Sequence, residues 1–128
     1  MAKKTYVPNP RKVIFVETSA RCNLACRFCA YSKFPPGGFM ADDLYDRVIK
    51  EVCDLGFEFV WLTPMLGEAF ADPNIMKRFT VLEESPRIRG YAFYSNFIMA
   101  RKTQIEYLER LAKLASIHIS VYGFDEIG

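Results

Sequence analysis

The sequence predicts an α/β fold built from parallel β/α repeats. Short β-rich runs alternate with segments of helical periodicity. The repeat of roughly 30–45 residues leaves room for right-handed crossovers between parallel strands. The unusual polar residues fall just after the strands, where parallel α/β folds collect their chemistry.

The elements follow in order. Val13, Ile14, Phe15, Val16 and Glu17 form the first β-rich run. Beyond the breaker Pro35-Pro36-Gly37-Gly38, residues 41–55 read as a helix whose inner stripe is Leu44, Tyr45, Val48, Ile49 and Val52. Gly56 stands where a C-terminal cap belongs. Residues 57–62 (FEFVWL) make the second strand and 63–71 a loop. Asp72 and Pro73 offer an N-cap and a first-turn proline for a helix to about residue 84, with Ile75, Met76, Phe79 and Leu82 inward. Residues 90–94 form the third strand and 95–102 the third loop. Thr103 and Glu106 read as a capping box for a helix with Ile105, Leu108, Leu111 and Ala115 inside, and 117–121 is the fourth strand. The aromatics Phe57, Phe59, Trp61, Tyr91 and Phe93 are expected in the core.

At 128 residues there is room for one core, and a hydrophobic content of 51% describes an ordinary folded chain. Seventeen basic against fifteen acidic residues are scattered, so nucleic acid as a partner has no electrostatic support. The early apolar run stops at Glu17, which argues against a signal peptide, and no stretch reads as a membrane span. A cytoplasmic location is therefore expected, where clustered thiols bind metal more often than they pair.

Three of the four cysteines, Cys22, Cys26 and Cys29, lie in one C-x-x-x-C-x-x-C segment after the first strand. An odd number suits no disulfide framework, and three thiolates fall short of a closed structural zinc site. A [4Fe–4S] cluster held by three cysteines would keep one iron open for a further ligand. Zinc held by the three thiolates with His118 as fourth ligand is the alternative. Cys53, in the first helix, reads as a small buried hydrophobe.

The run Glu17-Thr18-Ser19-Ala20-Arg21-Cys22-Asn23-Leu24-Ala25-Cys26-Arg27-Phe28-Cys29 resembles the cluster loop of the radical S-adenosylmethionine (SAM) superfamily, including the aromatic before the last cysteine. Its Cys-Asn-Leu opening is similar to the branch of sulfatase-maturating and peptide-modifying enzymes. Leu66-Gly67-Glu68 resembles that family's Gly-Gly-Glu element, with Leu66 for the first glycine. Ser95-Asn96-Phe97 resembles its Thr-Asn-Gly element, with Phe97 for the glycine, and Ile119-Ser120-Val121-Tyr122-Gly123 its Ile-Ser-Leu-Asp-Gly, with Tyr122 for the acid.

The resemblance implies a [4Fe–4S] cluster on Cys22, Cys26 and Cys29, and SAM contacts from Phe28, Gly67, Glu68, Asn96 and Ser120. Glu68 would meet the SAM ammonium. Reduction by an electron donor would give a 5′-deoxyadenosyl radical that takes hydrogen from a peptide or small-molecule substrate. The implied fold is the first half of a partial (β/α)6 TIM-like barrel, with 1–128 a partial core domain lacking its C-terminal half. Such a chain would be a fragment, inactive by itself, or a half completed by another chain.

Overall fold

The computed structural model describes residues 12–20, 38–63 and 67–120. Strands β1 (Val13–Val16), β2 (Phe59–Leu62), β3 (Gly90–Ser95) and β4 (Leu114–Ile119) form one parallel sheet in the order β1-β2-β3-β4. Helices α1 (Asp42–Asp54), α2 (Ile75–Glu84) and α3 (Lys102–Leu108) make the crossovers. The expected α/β repeat is the observed one, as an open partial barrel wall.

Alternation along the strands sorts their side chains onto two faces. Val60, Leu62, Tyr91 and Phe93 are fully buried in one cluster with Tyr45, Ile49 and Val52 of α1 and Ile75, Phe79 and Leu82 of α2. Phe79 stacks between Tyr91 and Phe93, with ring centroids 5.7 and 5.1 Å away. The other face carries Phe15, Phe59, Trp61, Tyr94 and His118 as a run of neighbouring rings. Phe59 and Trp61 are thus half-buried on the helix-free face, not in the helix-covered core that the sequence suggests for them.

The cap of α1 is as expected. Gly56 has φ 89°, its N–H reaches the Cys53 carbonyl at 3.1 Å, and the Phe57 N–H reaches that of Val52 at 3.1 Å. That pair of bonds is the Schellman closure, with Phe57 and Val52 both buried beside it. Leu44, expected inside, is 41% exposed, so the buried stripe of α1 is Tyr45, Ile49 and Val52.

Several boundaries differ from the sequence expectation. Helix α2 starts at Ile75, with Asn74 as N-cap, because the Asp72 carboxylate accepts the Asn74 N–H at 2.9 Å and holds a turn ahead of the helix. Helix α3 begins after Arg101, whose N–H is accepted by the Gln104 side chain at 2.9 Å, so the box is not built on Thr103 and Glu106. It stops at Leu108, and β4 starts three residues before Ile117. A tertiary contact decides this. The Glu83 carboxylate accepts the N–H groups of Ala112 and Lys113 at 2.9 and 3.0 Å, fixing the turn, and pairing from Tyr91 with Leu114 to Ser95 with Ile119 draws the chain into the sheet. Ile105 is consequently 42% exposed, and Ala115 lies in the strand.

Candidate functional site

Parallel pairing puts the carboxyl ends of all four strands at one edge, and the segments that leave them meet there. Beyond β1, residues 18–20 run against 38–40. Ser19 bridges Phe39 antiparallel, the Ala20 N–H binds the Gly38 carbonyl at 2.9 Å, and the Met40 N–H binds that of Thr18 at 2.8 Å. These bonds tie together the two ends of the cysteine segment. Cys22, Cys26, Cys29 and Phe28 themselves lie outside the described residues.

Gly67, following β2, lies directly on this base. Its N–H donates to the Glu17 carboxylate at 3.1 Å. A Cβ at this position would stand 1.5 Å from the Ser19 carbonyl oxygen. Only glycine fits, because the chain itself makes the close approach.

Glu68 is 2% exposed. Its carboxylate accepts the Ser95 hydroxyl at 3.0 Å and the Asn96 N–H at 3.1 Å. Burial pushes its pKa above the usual carboxylate range, and these donors oppose the shift. Glu68 therefore locks the end of β2 to the end of β3.

The β3 end is shaped around that lock. Ser95 Oγ also accepts the Phe97 N–H at 2.9 Å, and Asn96 Oδ1 accepts the Ile98 N–H at 3.0 Å. Phe97 has φ 64°, a backbone normally left to glycine. Its ring packs 5.2 Å from that of Phe70. Glycine-type geometry is kept by a residue that anchors itself in the core. Ser120 joins from β4, its N–H donating to the Ser95 carbonyl at 2.9 Å. Gly67, Glu68, Asn96 and Ser120 are thus brought together by hydrogen bonds that run through Glu17 and Ser95.

His118 lies on the helix-free face, its ring 4.8 Å edge-on from Trp61 and 4.9 Å from Tyr94. Among the described residues no group of three or more His, Cys, Asp and Glu is placed to hold a metal. Cys53 is half-buried near the far end of α1, packed against the core, and burial raises its thiol.

Sequence reasoning missed two features here. Thr18 Oγ1 is buried with no hydrogen-bond partner among the described residues, beside the start of the cysteine segment. Arg78 and Asp72 form a buried ion pair, Nε to Oδ2 3.1 Å, with side chains 2% and 0% exposed. Asp72 was legible only as a cap, and nothing in a helical Arg at position 78 signals burial.

Three comparisons with known proteins bear on this arrangement. The family model described as "Radical SAM superfamily" matches residues 16–127. Among solved structures, the chain is similar to BtrN in complex with AdoMet and 2-DOIA, at 23% identity and a TM-score of 0.73. That likeness covers 89% of this chain and 47% of BtrN, so the chain spans about half the length of its structural neighbour. No curated protein matches. No helix among the described residues is long and apolar enough to cross a membrane.

Proposed function

This chain belongs to the radical SAM superfamily, and from that premise we propose that it holds a [4Fe–4S] cluster on Cys22, Cys26 and Cys29 and binds SAM beside it. When bound, the cluster and SAM supply a 5′-deoxyadenosyl radical by one-electron reduction of the sulfonium. The observation that carries the proposal is the meeting of the cysteine-segment base, the Gly67–Glu68 loop and the Ser95–Asn96 turn at one edge of the sheet.

The residues present fit such a pair of groups. Three thiolates suit a cluster with one open iron. The Thr18 hydroxyl, buried and without a hydrogen-bond partner among the described residues, lies next to that segment. Glu68, with its carboxylate turned into the protein, serves SAM by holding the two loops in register; the ammonium would be met by the backbone around Gly67 and Glu68. Asn96 and Ser120 would supply polar groups on the β3 and β4 side, and Phe28 is assigned to the cofactor by the family resemblance of its motif. The substrate is a small molecule or a peptide, an external donor supplies the electron, and a further segment or chain pairs with the open edge of β4. The exposed Ile119 of β4, 56%, supports that last point.

Anaerobic reconstitution with iron and sulfide tests the proposal. About four irons per chain are expected, lost when any one of the three cysteines is replaced by alanine and kept in Cys53→Ala. Reduced protein should release 5′-deoxyadenosine from SAM. One colourless zinc per chain, or equal iron loss from Cys53→Ala, would sink it.

A further inference from the structure

We propose that Arg78 is a positioning residue for this cofactor site, coupling the end of the cysteine segment to the Gly67–Glu68 loop. The inference rests on the cluster-binding function proposed above. Arg78 lies in α2 and reaches no cofactor contact itself, yet its buried guanidinium joins three pieces of chain. Nη2 donates to the Met40 carbonyl, Nη1 stands 3.2 Å from Asp42 Oδ1, and Nε stands 3.1 Å from Asp72 Oδ2. The guanidinium carbon lies 4.8 Å from the centre of the Tyr45 ring, whose hydroxyl donates to the Arg78 carbonyl at 2.9 Å.

The place of each partner gives the arrangement its meaning. Met40 is the last residue of the base that ties off the cysteine segment, through its N–H to Thr18. Asp72 ends the short turn Ala69–Ala71 that follows directly on Glu68. One side chain therefore fixes the outgoing end of the cysteine segment against the segment that carries Glu68. The incoming end is fixed to the same loop by Gly67, through Glu17 and Ser19. A buried guanidinium is costly to desolvate and is a poor choice for stability alone, whereas its planar fork can hold several oxygens in a set geometry.

The test compares Arg78→Met and Arg78→Lys with Leu82→Ala, a buried core change one turn along the same helix. Amide exchange is followed at Ala20 and Met40, which close the base, and at Phe93 in the sheet. Arg78→Met should speed Ala20 and Met40 about tenfold beyond any change at Phe93, as a local opening. Leu82→Ala should move all three together. Arg78→Lys keeps a charge on Asp72 but cannot span Met40 and Asp42 at once, so it should show the same selective opening, and it carries the test if Arg78→Met does not fold. On reconstituted protein, iron retained against a chelator should fall about tenfold in the Arg78 variants relative to Leu82→Ala, as for outer-shell changes at metal sites. Parallel exchange at all three amides would reduce Arg78 to an ordinary structural residue and overturn the proposal. A wild-type chain that takes up no iron would sink the cluster assignment instead, and the exchange comparison would still decide whether Arg78 couples the two segments.

Discussion

The two ends of the sheet handle polar groups in opposite ways. At the amino ends of the strands the charges are solvated: Lys12 meets Glu58 at 3.0 Å, Arg89 meets Glu58 at 3.5 Å and Arg87 meets Asp54 at 3.6 Å, all on exposed or half-exposed side chains. At the carboxyl ends, Glu68 and Ser95 are buried together, as are Asp72, farther along the same loop, and Arg78 of α2. Left-handed non-glycine backbone occurs at both ends, with φ 53° at Lys12 on the amino side and 45° at Thr63 and 64° at Phe97 on the carboxyl side, so the contrast lies in the buried polar groups. Solvated ion pairs contribute little and cost little. Buried polar groups must be held in place by everything around them, and such features gather at functional sites. The difference marks the carboxyl edge as the working end, independently of the cysteine motif.

The comparison can be broken at four points, in falling order of effect. Gly67→Ala drives a Cβ into the Ser19 carbonyl and should destabilise the chain by about 3 kcal/mol. Chemical denaturation measures it, and a loss near zero would mean that the base and the Gly67 loop separate freely.

Glu68→Gln comes next. The amide places an NH2 group where the carboxylate accepts the Ser95 hydroxyl or the Asn96 N–H, and a loss of about 2 kcal/mol at neutral pH is expected. The variant also reports pH dependence. Burial raises the folded-state pKa of Glu68 above its ordinary 4.5, so the folded chain binds that proton more tightly than the unfolded one. The stabilisation linked to this proton is present below the unfolded value and is lost as pH rises through the folded value. The difference in denaturation midpoint between wild type and Glu68→Gln should therefore narrow as pH rises through that window. A constant difference from pH 4 upward would show that Glu68 titrates normally.

Phe97→Gly removes about 1 kcal/mol of backbone strain and forfeits the ring contacts with Phe70 and Phe93. A net loss of roughly 1–2 kcal/mol is expected from a half-buried ring, and a gain in melting temperature would show that the strain outweighs the anchoring. The smallest effect belongs to the other end of the sheet. Arg87→Ala should change stability by no more than about 0.5 kcal/mol, and a larger loss would erase the contrast between the two ends.

The strand and helix order, the Gly56 cap and the placing of Gly67, Glu68, Asn96 and Ser120 after their strands were all legible in the residues. These depend on local rules: period-2 and period-3.6 patterning, a glycine at a left-handed cap, polar residues beyond a strand end. Where sequence reasoning slipped, a distant partner had intervened. Glu83 captured the turn before β4, twenty-nine residues along the chain, and β3 drew the strand forward by three residues. Gly67 reads in sequence as making room for a ligand; in the fold, the room is taken by Ser19. Glu68 reads as the partner of the SAM ammonium; in the fold its carboxylate accepts from Ser95 and Asn96.

The sequence by itself determined that four strands would alternate with three helices and that the Gly-Glu pair would stand beyond a strand end, because each of those facts depends on neighbours a few residues away. Only the tertiary structure decided which polar groups would be buried and joined. Burial of a charge is settled by partners that arrive from other elements, and Glu68 finds its own twenty-seven residues away while Arg78 finds Met40 thirty-eight away.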